Sequence, residues 1–316
     1  MVLNKKRLKK VLITIIIALI IFSVISFAAT KIIYDNIFTR SSCETVNVTQ
    51  NLQSMVNTRE NVSYYSGENK LAGHLYRSTS SQNKNSLIVI ACGIHSCKDS
   101  YLWQIKELTD YGWSVFVFDA TGSCDSEGES KIGFPQMVYD LKATLNYIEK
   151  ENRFGYNNLM LMGHSQGGYA VCCTLQYDYD ISAVVSIAGI NSAMDATISG
   201  ASQYVGPLAY GNYGFLWLYQ TLLFDSQTVN LRADKVLSNT DTPALIIHGE
   251  NDQVVPDDKF SIISHKDEIN NKNVEYVVRS APDSSGHTDI LYDKDGTANN
   301  QLIELINNFF DKSITK

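Results

Sequence analysis

Asn157-Asn158-Leu159-Met160-Leu161-Met162-Gly163-His164-Ser165-Gln166-Gly167-Gly168 reads as a buried strand, a sharp turn and the start of a helix. Leu159 to Met162 is an unbroken apolar run, as expected of a parallel strand covered on both faces. Gly163-His164-Ser165-Gln166-Gly167 fits the pattern G-x-S-x-G, in which a serine occupies a strained turn and points its hydroxyl away from the sheet. The flanking positions must be nearly free of side chains, or strand and helix could not approach each other. Gly163, Gly167 and Gly168 meet that need. The helix then aims its N-terminal amides at the serine. Alone, the pattern also suits a glycine-rich turn with a bystander serine, so the rest of the chain must decide.

Working outward, strands and helices alternate. Val62–Tyr65 and Leu71–Tyr76 read as a hairpin around Gly67-Glu68-Asn69. Strands follow at Ser86–Cys92, Ser114–Phe118, Ser182–Ile187, Pro243–His248 and Val274–Val278, and those at 86–92 and 243–248 read as buried. Helices are expected near Tyr101–Tyr111, Pro135–Glu151, after Ser165, near Asp257–His265 and near Asn299–Phe310. Pro135 suits a first helical turn. Such alternation predicts βαβ units and a mostly parallel sheet, with ligands at the carboxyl ends of the strands.

An acyl-transfer serine needs a base to take its proton and an acid to orient that base. His248-Gly249-Glu250-Asn251-Asp252 follows one strand and Ser285-Gly286-His287 follows the next. The order Ser165, Asp252, His287 gives nucleophile, orienting acid and general base. Glu250 and Asp289 are the alternative acids, and each reads more simply as a surface carboxylate. His164 and His248 read as packing residues, His74 and His265 as surface or structural ones. His95 suits the pocket wall or a structural role equally. The oxyanion needs two backbone donors. The amide of Gln166 is one, and Ile94, in the loop after the Cys92 strand, supplies the other. No spacing resembles a metal site, and no cofactor is expected.

These motifs resemble the α/β-hydrolase superfamily over about residues 61–310, closest to its monoglyceride-lipase and serine-aminopeptidase-like branch. The resemblance rests on the Ser165 turn, Gly249-Glu250-Asn251-Asp252-Gln253-Val254-Val255-Pro256, Gly286-His287, and Phe118-Asp119-Ala120-Thr121-Gly122-Ser123-Cys124-Asp125-Ser126-Glu127-Gly128. The last is similar to a D-x-x-G-x-G-x-S-x-G loop, with Cys124 at a glycine-like position. Cys92-Gly93 stands where the family usually has His-Gly. The resemblance implies a hydrolase domain over 59–190 and 242–314, interrupted by a small helical cap over 191–241. The cap is apolar and aromatic (Tyr204, Tyr210, Phe215, Trp217, Phe224), which suits either an acyl chain or packing onto the core. A cap selecting free amines should present carboxylates; only Asp195 and Asp225 are candidates, so an ester is preferred over a peptide. An exported peptidase and a non-catalytic binding module on the same scaffold remain the alternatives.

The 316-residue chain has a net charge of −7, and five of its positive charges crowd into the first ten residues. The acidic remainder carries no basic patch and argues against a nucleic-acid partner. After the basic segment 1–10, Val11 to Ala29 is almost wholly apolar. Those 19 residues cover about 28 Å as a helix, close to a bilayer's hydrocarbon core. Residues 11–29 therefore read as a transmembrane anchor with the basic end cytoplasmic and the rest exported. A cleaved signal peptide, with Ser26 and Ala28 near its cut, is the competing reading. Residues 30–58 read as a stalk, with sequons at Asn47 and Asn61. Of six cysteines, Cys97 and Cys124 lie in loops expected to be neighbours, which suggests a Cys97–Cys124 disulfide. Oligomeric state is not legible.

Overall fold

The computed structural model describes residues 5–43, 50–78, 80–256, 260–281 and 283–314. In chain order the elements are α1 (Lys5–Ile37), α2 (Gln50–Thr58), β1 (Glu60–Ser66), β2 (Asn69–Tyr76), β3 (Ser86–Ala91), α3 (Leu102–Asp110), β4 (Ser114–Phe118), α4 (Phe134–Lys150) and β5 (Asn158–His164). There follow α5 (Gln166–Thr174), β6 (Ala183–Ile187), α6 (Ala193–Val205), α7 (Leu208–Gly211), α8 (Tyr213–Leu223), α9 (Ser226–Val229), α10 (Ala233–Ser238), β7 (Ala244–Gly249), β8 (Val274–Arg279) and α11 (Asn300–Ile314).

Among the described residues these strands form one eight-stranded sheet in the order β1-β2-β4-β3-β5-β6-β7-β8. β1 and β2 pair antiparallel through a turn at Gly67-Glu68, and β2 pairs antiparallel with β4. Every other pairing is parallel. The alternation along β5 shows why the sheet needs helices on both sides. Leu159 and Leu161 pack on one face, with α4, α5 and α10. Met160 and Met162 pack on the other, with α3 and α11. Along α11, Leu302, Ile303, Ile306, Phe309 and Phe310 are all buried against that second face. Helices α6 to α10 lie between β6 and β7 in the chain; α10 packs on the sheet face with α5, whereas α6 to α9 form a separate apolar cluster with the end of α1, in the place expected of a cap. Two helical expectations shift. The segment near Tyr101–Tyr111 begins with a 3₁₀ turn at Lys98–Tyr101 before α3. The one near Asp257–His265 is a 3₁₀ helix over Ile263–Glu268, and residues 257–259 lie outside the described ones.

Helix α1 is long and apolar enough to cross a membrane. It runs on past residue 29, and its far end is docked rather than free. Tyr34 and Phe38 are buried against the cap helices α6 and α8. Residues 39–43, expected in a stalk, are stitched to the loop after β4. The Ser41 amide donates to Gly122 O and the Cys124 amide to Ser41 O. The Arg40 guanidinium donates to the carbonyls of Gly128, Cys124 and Ser126 at 2.7–2.9 Å. The Asn47 sequon lies outside the described residues, whereas Asn61 is exposed on β1.

This docking corrects the disulfide. Cys124 is bonded to Cys43, with the two Cα atoms 5.1 Å apart, and Cys97 is a buried free thiol. The loops carrying Cys97 and Cys124 are neighbours, and the Cys97 sulfur lies within 4.8 Å of both bonded sulfurs. Pairing of residue 41 with residue 123 brings Cys43 to Cys124 first. The sequence hid this because residue 43 looked remote from the body. Mass mapping of unreduced peptides should recover a 43–124 cross-link and an alkylatable Cys97. A 97–124 cross-link would contradict the docked arrangement.

Candidate active site

The turn between β5 and α5 sets the site. Ser165 has φ 56° and ψ −117°, a left-handed conformation that costs a non-glycine residue about 1–3 kcal/mol. Its backbone amide donates to Ile187 O on β6 at 2.8 Å, which fixes the turn to the sheet. The close approach around it tolerates no side chain. A Cβ on Gly163 would fall 2.2 Å from Gly167 O, and one on Gly167 would fall 1.9 Å from Ala91 O. Gly167→Ala should therefore destabilise the fold by about 3–5 kcal/mol, measured by chemical denaturation, because backbone and not a flexible side chain must move.

The loops after β7 and β8 meet beside this turn. The His287 Nδ1–H donates to Asp252 Oδ2 at 2.7 Å. The other oxygen, Asp252 Oδ1, accepts from the amides of Val254 and Val255 at 2.9 and 2.8 Å. Burial pushes the Asp252 carboxyl upward, but the His287 and Val255 hydrogen bonds together outweigh it and hold the group below the usual range. The carboxylate is thus charged and faces the imidazole. Glu250 and Asp289 are exposed. His248 donates from Nε2 to Val255 O, so it ties down the loop that carries Asp252.

Ser165 and His287 are joined through the residue between Gly163 and Ser165. His164 donates from Nε2 to the His287 carbonyl at 2.9 Å, and the two imidazoles are 4.9 Å apart. Its Nδ1 is left to accept, from the Tyr101 hydroxyl at 3.3 Å, and that hydroxyl accepts from the Gly93 amide at 3.1 Å. One chain of hydrogen bonds therefore runs from the loop after β3, through the serine turn, to His287. The Ser165 hydroxyl itself is not hydrogen-bonded to His287 here, which is common before substrate binds. Gly93 lies against the turn, where a Cβ would sit 3.5 Å from Ser165 Cβ. Gly93, Ile94 and Gln166 line one small void of about 10 Å³. Gln166 opens α5, so its amide has no partner inside the helix. Ile94 is half-buried in the loop next to it.

Two residues escaped the sequence reading. His164 looked like packing, since a histidine inside the motif carries no mark of its hydrogen bonds. Lys131 is buried and lines the same void, and among the described residues its ammonium has no hydrogen-bond or ion-pair partner, although its amide donates to Phe38 O at 2.9 Å. Burial holds its ammonium below the usual range, and its charge helps to lower His95, where burial is the larger cause. His95 itself is exposed, so it is not a wall of the buried part of the site. His74 is buried and paired with Asp99 at 3.3 Å, and His265 bonds Glu268 at 2.9 Å.

Burial, with the neighbouring His287, pushes His164 down to about 4. An unfolded histidine titrates near 6.5, so between those values the unfolded chain binds a proton that the folded chain refuses. The neutral ring's contribution is full above pH 6.5 and is lost by about 1.4 kcal/mol per unit as pH falls toward 4. The slope of unfolding free energy against pH should flatten by that amount in His164→Gln. An unchanged slope would mean that His164 takes up its proton in the folded state.

The comparisons with known proteins agree with this fold. The profile of the serine aminopeptidase S33 family matches residues 82–208. A quorum-quenching protein, AidA, of Acinetobacter baumannii is 28% identical over 128 residues, which is 40% of this chain and 42% of that protein. The chain thus matches less than half of that relative's length. The Pyrococcus furiosus esterase Pf2001 superposes with a TM-score of 0.65 at 18% identity, covering 87% of this chain and 98% of that one. A bacterial membrane phospholipase A superposes with a TM-score of 0.57 at 13% identity, covering 98% of this chain and all of that one. With its mostly parallel sheet and the serine turn between β5 and α5, the chain has the α/β-hydrolase fold, and over residues 82–208 it is similar to the serine aminopeptidase S33 family.

Proposed function

We propose that the chain is a membrane-anchored, extracytoplasmic hydrolase of carboxylic esters that works through an acyl-enzyme on Ser165. The observation that carries this is the 2.7 Å bond from His287 to the buried Asp252, beside a serine held at positive φ. In the cycle, His287 Nε2 takes the Ser165 proton as Oγ attacks the acyl carbon. The oxyanion faces the amides of Gln166 and Ile94, each worth about 3–4 kcal/mol in the transition state. Collapse breaks the ester bond, and the alcohol leaves with the proton from His287. Water then repeats the sequence, releasing the acid and restoring the serine. No cofactor or metal enters these steps.

The ester is preferred over an aminoacyl substrate because the cap's two candidate carboxylates are engaged elsewhere. Asp195 lies 3.5 Å from the Arg232 guanidinium. Asp225 caps α9 through the Thr228 amide and accepts from Tyr139. Each already has a cationic or hydrogen-bonding partner in the chain. The S33 family match and the esterase and phospholipase neighbours bear on the class of reaction, not on the substrate. The anchor reading draws on the length and apolarity of α1 and on the basic residues before it.

A fluorophosphonate probe should label the wild type and leave Ser165→Ala unlabelled. That variant should lose about 10⁴–10⁶ of kcat on acyl esters, and Asp252→Asn about 10⁴. A panel of acyl esters against aminoacyl and prolyl amides should favour the esters. Faster amide cleavage would select the peptidase, and an unlabelled wild type would select a binding module.

A further inference from the structure

A cavity of about 220 Å³ lies between the far end of α1 and the cap. Ile33, Tyr34 and Ile37 form one wall; Ile198, Ala201 and Leu216 form the other. Of the polar side chains that reach it, three bond nearby backbone carbonyls, and the fourth, Tyr34, sets a buried hydroxyl with no hydrogen-bond partner among the described residues against Gly133. Thr30 and Thr197 donate to the carbonyls of Ser26 and Ala193, and Asn212 donates to Leu208 O. Water in a cavity needs two to four polar partners, and an apolar space of roughly 150 Å³ is known to stay dry and take up a hydrocarbon. This space is larger and offers water little to hold.

Its position says what fills it. The wall from α1 begins directly after residues 11–29, whose side chains stand largely exposed along the helix. Nothing but hydrocarbon suits that surface. The cavity therefore opens where the helix leaves the bilayer. Its outer rim includes an uncovered apolar side chain, Leu208, which is 75% exposed, as interfacial side chains are. On the inner side the apolar packing is continuous. Ile198 and Met194 belong to one cluster, and Ile94, beside the serine turn, packs against it.

We propose that this groove holds the acyl chain of a membrane lipid, taken laterally from the leaflet, with its carboxyl end directed toward Ile94 and Ser165. The inference rests on the anchored-hydrolase reading and adds the substrate class, a long-chain lipid ester. It also assigns a task to α1 beyond tethering: half of the acyl site is the anchor helix itself.

The test uses the full-length Ser165→Ala chain in phosphatidylcholine nanodiscs containing a phosphatidylcholine with a diazirine on its acyl chain. Photolysis followed by peptide mapping should place adducts on residues 29–37 and 197–205. Ala201→Trp, which fills the groove, should cut the adducts on 197–205 at least ten-fold while keeping a near-native melting temperature. Ala209→Phe serves if that variant does not fold. Adducts confined to residues 11–28, or undiminished adducts in a folded filled variant, would overturn the groove. Labelling needs no turnover, so these failures are separate from that of the hydrolase reading, which fails if the wild type does not react with a fluorophosphonate. An intact mass lacking the first 30 residues would instead remove the anchor.

Discussion

Backbone meets backbone at one crossing, and the rest of the site hangs on it. The carbonyl of Gly167 lies where a side chain on Gly163 would be, and the carbonyl of Ala91 lies where one on Gly167 would be. Strand β5, helix α5 and the end of β3 are therefore as close as peptide groups can be. That proximity forces the intervening serine to positive φ and leaves the Gln166 amide at the head of a helix. It also brings the loop after β3 against Ser165, so the candidate oxyanion donor and the candidate nucleophile share one corner. Packing sets the geometry here, and the chemistry uses what the packing leaves exposed.

Around that corner the protein builds stiffness from neutral hydrogen bonds. Tyr101, His164 and the His287 carbonyl form a chain whose polarity is fixed, because the carbonyl can only accept. Burial, with the neighbouring His287, favours the neutral form of His164. Beside His287 the charged group is Asp252, where two backbone amides and an imidazole surround the carboxylate. Removing any of these partners would leave a buried charge underserved, which is far costlier than the bond's net worth.

Much of this was legible in the sequence, for local reasons. The apolar run Leu159–Met162 and the glycines after it constrain one another within a few residues, so strand, turn and helix could be read together. Asp252 and His287 stood out because each follows a buried strand by a few residues. The readings that failed involve partners far apart in sequence. Cys43 and Cys124 are 81 residues apart, and nothing near residue 43 announces that Arg40 and Ser41 bind the loop after β4. The same holds for α1. Its hydropathy marks a helix long and apolar enough to cross a membrane, but Tyr34 and Phe38 look like any aromatic residues until α6 and α8 cover them. His164 and Lys131 were missed because burial and hydrogen bonding, not residue type, define their roles.

The most direct test of the central claim is a crystal structure of the protein inactivated by an alkyl phosphonate. Phosphorus should be bonded to Ser165 Oγ, with its oxygen facing the amides of Gln166 and Ile94 and His287 Nε2 within about 3.2 Å of Oγ. A phosphonate on another residue, or an adduct on Ser165 with His287 turned away and the oxygen held by other donors, would contradict the assignment of nucleophile, base and oxyanion site.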